Sequence, residues 1–454
     1  MPMKRFSKIR TMVRWSFRLF VLLLLIAVIA LLVVFRGALY NRFVLFPKQE
    51  AAWLEIRSER SAKTLPYSIT WNRYKGTAHN HSEFSHDSEV PFERILEVLE
   101  EAGHDFIAMS DHCLEGGRAD YGVQWRGIYD GKLFIPGYEM KRGFMPWGLA
   151  SDVVLDCGKE PEALAKEIDE LGGILFFAHP EERDWHLPEL RGMEIYNIHA
   201  DIKDENLAQL APDILLNFRA YPEQTIRLIF DRNVSMLAHW DELNKTRDIS
   251  GLAANDCHQN TGIYGIYTDK DTLELHSTAG EVINEYDLNM FTRTLLRIIA
   301  GPLKAGEEAF RFQLDPYDLM TRYVVTHVFA SDLTEEAILD AFKDGRMYIG
   351  FDMIADSTDF LFAAKNEGQT VVMGESIMLT PDTWLAASSP YRCRFTVLKN
   401  GVQVYQTVGV MMDWQPKEPG KYRVEAELDI LGEWTPWVYT NHIDFMRDMS
   451  AVGL

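Results

Sequence analysis

Eight side chains of the kinds that hold divalent cations stand where short apolar runs end in this 454-residue chain. His79 and His81 close the run at 76–81, and His112 the one at 106–112. Glu139 ends 133–139, His179 ends 174–179, and Asp256 and His258 end 251–258, while Asp87 stands just before an expected helix. Imidazole nitrogens and carboxylate oxygens are the donors that zinc, manganese and iron take from proteins. His79 and His81, two apart in an expected strand, point to one face and are expected to share a cation, and Asp256 and His258 repeat that spacing. Glu139 is of the type that bridges paired cations in hydrolases. Each has a plainer alternative: an H-x-H is a weak sign alone, Asp87 suits a helix N-cap, Asp111-His112 suits a turn, and His179 suits a satisfied core position. Their recurrence at successive strand ends points instead to one metal-dependent site. His86, His104, His186, His199, His239, His276, His327 and His442 lack that setting, although His199 follows the run at 193–197 and is a candidate outer ligand.

The elements that must position these groups alternate between buried strands and helices. The best helix is 91–102, with Asp87 and Ser88 at its capping end, Phe92, Ile95, Leu96 and Leu99 on one face, and Gly103 as its stop. Such alternation predicts a parallel sheet, and polar residues delivered at many strand ends predict an α/β barrel with its site on that face. After a last helix at 335–343 the pattern turns to strands near Phe360 and at 371–379, 394–406, 422–428 and 437–445. Asn400-Gly401 between two such runs is a strong hairpin signal, so a small antiparallel β-sandwich-like domain is expected there. Residues 271–308 fit neither pattern and are read as an insertion.

The amino terminus predicts a transmembrane helix. Lys4, Arg5, Lys8, Arg10, Arg14 and Arg18 precede an uncharged apolar run at 19–35, closed by Arg36. The run is longer than a signal-peptide core and lacks a small-residue cleavage site, so a retained anchor is expected. By the positive-inside rule the N-terminus is cytoplasmic and the catalytic part extracytoplasmic. The expected organisation is a basic segment at 1–18, an anchor at 19–36, a linker at 37–70, a metallohydrolase barrel at 71–348 and a β domain at 349–454. A net charge of −21 disfavours nucleic acid as a partner and favours a small-molecule substrate. Cys113, Cys157, Cys257 and Cys393 show no paired spacing and are read as free thiols. Oligomeric state has no signature in the sequence.

In order, A-H-N-H-S-E-F-S-H-D-S, M-S-D-H, P-G-Y-E, A-H-P and N-D-C-H resemble, over about residues 74–262, the motifs of the PHP (polymerase and histidinol phosphatase) phosphoesterase superfamily. The tail, with G-R-M-Y-I-G-F-D, G-K-Y-R-V-E and W-V-Y-T-N-H, looks like the β domain of a branch that includes carbamate and ester hydrolases. The resemblance implies a distorted (βα)7 barrel holding two or three Mn, Fe or Zn ions. It would assign His79, His81, Glu139 and Asp256 to one ion, and Asp87, His112 and His179 to another. Glu139 would bridge and His258 would complete a ligand sphere. One departure is that residues 140–152 hold no histidine where the family has a ligand, and Trp147 stands near that place. Two ions are therefore expected, with Trp147 walling the pocket; the plainer alternative makes Trp147 a core residue and His199 the missing ligand. The implied chemistry is hydrolysis of a phosphate ester by a metal-activated hydroxide, with Arg118 and Arg142 as candidate phosphate contacts. The same site would serve a carbamate or carboxylic ester hydrolase, or a degenerate ligand-binding sensor.

Overall fold

The computed structural model describes residues 3–65, 68–180, 186–204 and 206–447. The chain divides into two compact units. The smaller takes residues up to Glu55 together with Ile202–Phe230. It begins with α1 (Met3–Val34), whose segment Arg14–Val34 is long and apolar enough to cross a membrane, with none of its most apolar stretch buried. The segment expected as a linker is helical through Arg36–Tyr40, a π turn at Asn41–Leu45 and Phe46–Ser58. Its residues are mostly good helix formers, and the turn is fastened: Asn41 donates to Asp213 Oδ1 (2.9 Å), and Asn217 donates to the carbonyl of Ala38 (3.0 Å). Phe46 is fully buried, its ring 5.7 Å from that of Tyr221.

The larger unit is mixed α/β around an extended sheet. Its strands include β1 (Asn72–Asn80), β2 (Phe106–Ala108), β3 (Lys132–Ile135), β4 (Phe144–Trp147), β5 (Ile174–Phe177), β6 (Leu190–Asn197) and β7 (Ser250–Cys257). β3, β2, β1, β7, β6 and β5 pair in that order, each parallel to the next. β4 then runs antiparallel to β5 and bridges back from Trp147 to Gly137, just beyond β3. The pairings thus return to their start, and the carboxyl ends of six strands face one way. Inside, Phe106, Ile135, Met145, Trp147 and Phe176 form a core closed by Ile338 and Phe342 of the helix Glu335–Asp344.

Helix α2 (Phe92–Ala102) buries Phe92, Ile95, Val98 and Leu99 against this sheet and ends at Gly103, whose φ of 68° suits glycine. Its N-cap position is Pro91, with no side-chain cap, so Asp87 is not spent there. Residues 262–313, which include the stretch 271–308 read as an insertion, form a four-stranded antiparallel sheet in the order Val282–Asp287, Thr272–Ser277, Gly262–Tyr267, Glu308–Gln313, carrying α4 (Met290–Ala300) after α3 (Pro161–Glu170) in the chain. β8 (Val325–Ala330) pairs antiparallel with the first half of β1, and α5 (Glu335–Asp344) leads to β9 (Met347–Gly350).

The tail is built mostly of antiparallel pairings, as expected of a β domain, but it is hydrogen-bonded to the rest of the sheet. β9 pairs with Glu433–Thr440, joining the C-terminal strands to the same hydrogen-bonded network, and Ser376–Leu379 runs parallel to Ile443–Arg447. The hairpin at Asn400-Gly401 is present between Trp384–Lys399 and Val402–Trp414, with φ of 48° and 81° as its turn requires. The cysteine expectation is corrected in part. Cys113 and Cys157 form a disulfide, while Cys257 and Cys393 are buried thiols. A separation of 44 residues hides the pair in sequence, but Arg118–Asp120 pairs with Val154–Asp156 and brings the two cysteines together.

Candidate metal centre

All eight expected ligand residues meet at the strand ends. Their donor atoms fall into two groups, His81, Asp87, His112 and His258 in one, and His79, Glu139, His179 and Asp256 in the other. The grouping differs from the implied partition in where it places His81 and His179, but it is not exclusive: His81 Nε2 and His258 Nδ1 each lie 3.3 Å from Asp256 Oδ1, so both also stand beside the His79 group. The backbone at these strand ends is irregular. His79 and Asp256 have φ of 59° and 50°, the register between β1 and β7 shifts at these positions, and His81 and His258 lie past the strand ends. Strict alternation fails there, and spacing alone does not say how each two-apart pair shares its cations. His179 also has φ of 46°. Three non-glycine residues of one group in the left-handed region is backbone strain of about 1–3 kcal/mol each, concentrated where function is expected.

The spacings discriminate between hydrogen bonding and shared coordination. Glu139 Oε2 lies 3.4 Å from His79 Nε2, 3.7 Å from His81 Nε2 and 3.5 Å from His112 Nδ1, and its Oε1 lies 3.4 Å from His179 Nε2. Asp256 Oδ1 is 3.3 Å from the Nε2 atoms of His79 and His81, and Asp87 Oδ2 is 3.6 Å from His112 and 3.4 Å from His258. Donors held about 2.0–2.2 Å from one cation stand about 3–3.5 Å from each other. Among the described residues, His79 Nε2, His81 Nε2, His258 Nε2, Asp87 Oδ1 and Asp256 Oδ1 are buried without a hydrogen-bond partner. Buried polar atoms so arranged need a partner, and a divalent cation fits the donor set.

Neighbouring groups set the histidine tautomers. His79 Nδ1 faces the Glu194 carboxylate, and His258 Nδ1 faces the carbonyl of Asp256 (2.9 Å). His81 Nδ1 meets Ser85 Oγ (2.9 Å), whose own proton goes to Asp111 (3.0 Å). Each contact takes an Nδ1 proton, so once the ring is neutral Nε2 turns its lone pair toward the cluster, and at His79 a cation would have to displace the second proton. Asp111 also accepts from Ser82 and Gln124, so it shapes the 82–85 loop and stands outside both groups. Glu194, missed in sequence, additionally accepts from the backbone N–H of His179 and from Asn197 Nδ2 (3.0 Å each). The signal was there: a glutamate inside the apolar strand Leu190–Asn197 must be buried and partnered.

The charges agree with this geometry. Burial disfavours a charged His79, yet Asp256, Glu194 and Glu139 outweigh it and hold its pKa well above the usual value. Burial and the neighbouring rings of His258, His112 and His79 push His81 well down. Burial opposes ionisation of Asp256, but His79, His199, His81 and His258 hold its carboxyl well below the ordinary range. The His79 group therefore carries concentrated negative charge that a cation would offset.

The remaining candidates are placed differently. Trp147 is fully buried, donates from Nε1 to the carbonyl of Met109 (2.7 Å), and packs on Phe176 and Phe342, so the pocket-wall expectation is corrected to a core role. Its indole also fills the place a Cβ on Gly137 would take, which explains the glycine of P-G-Y-E. His199 is buried with its ring 5.4 Å from His258, outside both donor groups. Arg118 is exposed on its strand, and Arg142 is 62 % exposed with its guanidinium 3.9 Å from Glu160, so neither belongs to the gathered cluster. A third acidic group, His327, Asp352 and Asp356, already has its cation: Lys75 Nζ lies 2.7 Å from Asp352 and 3.5 Å from Asp356.

No protein-family profile matches the chain, and no curated protein matches its sequence. A solved two-domain protein from Bacteroides vulgatus, containing a predicted PHP-like metal-dependent phosphoesterase, is 14 % identical over 84 % of this chain and 98 % of that one, with a TM-score of 0.34. A likeness that distant carries no argument, and the case for function rests on the cluster itself.

Proposed function

We propose that this chain is a membrane-anchored hydrolase that uses two divalent cations and acts on a phosphate ester. The observation that carries the metal reading is the eight-residue cluster, in which Glu139 stands between histidines of both donor groups at 3.4–3.7 Å. On this reading His79, Glu139, His179 and Asp256 hold one cation, and His81, Asp87, His112 and His258 the other, with Glu139 able to serve both. Mn, Fe or Zn held there would supply Lewis acidity toward an ester oxygen and toward water. The chain's own part is positional. Glu194 and Ser85 fix the imidazole tautomers, Asp111 fixes the loop that carries His81 and Asp87, and burial of most donors excludes bulk water and strengthens their electrostatics.

Phosphorus rather than acyl carbon is favoured by the motif series alone, and the circuit of strands is read as the distorted seven-stranded barrel that the series implies. An extracytoplasmic catalytic unit is supported by the unburied apolar segment of α1 and by the Cys113–Cys157 disulfide, since such bonds persist in oxidising compartments. Purified protein loaded with Mn²⁺, Zn²⁺ or Fe²⁺ and assayed on phosphomonoesters, phosphodiesters, carbamates and aryl esters tests the proposal. Turnover of phosphate esters that chelation abolishes is expected. Turnover of carbamates or aryl esters alone would move the chemistry to acyl carbon, and metal binding without turnover of any of them would leave a sensor.

A further inference from the structure

Helix α4 turns its apolar side outward. Met290, Phe291, Leu295 and Ile298 are 84, 75, 47 and 76 % exposed. At about 100° per residue these four positions fall within one arc of about 140°. Leu296, on the opposite side, is buried at 9 %. The helix is well founded, because Asn289 and Thr292 complete both halves of a capping box. The edge strand Val282–Asp287 is exposed at every position, Val282 and Ile283 included. Soluble surfaces seldom leave so much apolar side chain uncovered without a partner.

Charge identifies the kind of partner. In a chain of net charge −21, α4 has no acidic residue; it carries Arg293 and Arg297, and Lys304 follows it. By helical position Arg297 borders the apolar arc and Arg293 lies just beyond it, 2.6 Å from Asp271. An apolar arc edged by arginine is the pattern of a helix lying in a lipid–water interface. Arg14–Val34, if it anchors the chain, keeps the rest of the molecule within reach of a bilayer continuously. We propose that α4 is a second, interfacial membrane contact, an inference that rests on the anchored reading. Glu285 and Asp287 on the strand that precedes α4 in the chain, and Glu308 on the strand it packs against, make the apolar arc, rather than net charge, the main attraction.

The test uses the full-length chain in vesicles of phosphatidylcholine with phosphatidylglycerol, with Ile298→Cys carrying a polarity-sensitive fluorophore. Cys257 and Cys393 are buried and the other two cysteines are bonded, so the new thiol is selectively labelled. Blue-shifted emission, quenching by doxyl-labelled lipid and loss of iodide quenching are expected, and the same at Met290→Cys. Val404→Cys, at a position 41 % exposed on the long hairpin, should stay open to iodide. Phe291→Glu added to Ile298→Cys changes only an exposed side chain and should restore iodide access. Equal iodide quenching at 298 and 404 overturns the proposal. So does protection that vanishes at one chain per vesicle, which would assign the face to a second copy. Flotation reads the anchor separately: a chain that floats with an iodide-accessible label refutes α4 alone, and one that does not float refutes both.

Discussion

His79 shows how a single residue would be prepared to hold the proposed cation. Its backbone is strained, its Nδ1 is taken by Glu194, and its Nε2 is left facing Glu139 and Asp256. Replacing His79, Glu139 or Asp256 by alanine should strip metal and abolish hydrolysis, as read by elemental analysis and turnover. His276→Ala should leave both intact, since His276 stacks on Tyr264 away from either donor group. Glu194→Gln offers a finer test, because it keeps shape but weakens the charge that orients His79. Metal affinity should fall by about 10–100-fold while the fold persists, and unchanged affinity would return Glu194 to a purely structural role. That these eight residues gather was legible: they were singled out by type and position, and the fold brings them together. Their partition was not, because the left-handed turns at His79 and Asp256 cancel the alternation on which spacing arguments depend.

Elements divide in the same way. The hairpin at Asn400-Gly401 and the end of α2 at Gly103 were readable because turn chemistry is local. The sheet at 262–313 was not, because its strands mix charged and apolar residues on faces that are both partly exposed. Nor was the disulfide, which depends on a tertiary ladder between Arg118–Asp120 and Val154–Asp156. That bond closes the segment bearing Glu139. Chain-entropy arguments assign a closed loop of this length about 4 kcal/mol, as an upper bound. Cys113→Ala with Cys157→Ala should therefore lower the unfolding midpoint, and metal should be lost more readily through the loosened Glu139 loop. A double variant as stable as the parent in denaturant titration would show that the ladder alone holds the loop.

At the scale of the whole molecule, two buried histidines set an acid limit. Burial pushes His104 down to about 3, and His442 down to about 4 against the opposing pull of Asp241. Both folded values lie below the unfolded value of about 6.5, so the unfolded chain binds more protons in acid. Stability is complete above about pH 6.5 and is lost as pH falls through that value toward the folded ones, each histidine contributing about 1.4 kcal/mol of loss near pH 5.5. Thermal melts of EDTA-washed protein from pH 7.5 to 4.5 should show the decline, and His104→Gln should flatten it. The anchor sets the other limit on how this molecule is handled. With its most apolar stretch unburied, Arg14–Val34 should hold the full-length chain on membranes through a carbonate wash, whereas release as a processed soluble form would refute anchoring. Where to cut is decided by packing rather than by hydropathy. A chain beginning at Ala51 loses Phe46 from its place against Tyr221, together with the bonds of Ala38 and Asn41 to Asn217 and Asp213. Burying one such phenylalanine is worth about 1.5–3 kcal/mol, so that truncation should expose apolar surface in the unit containing Leu207–Asn217 and aggregate. A chain beginning at Arg36 keeps those contacts and should be soluble, monodisperse by light scattering and as active as the parent. Equal behaviour of the two truncations would show that residues 36–50 are a linker after all.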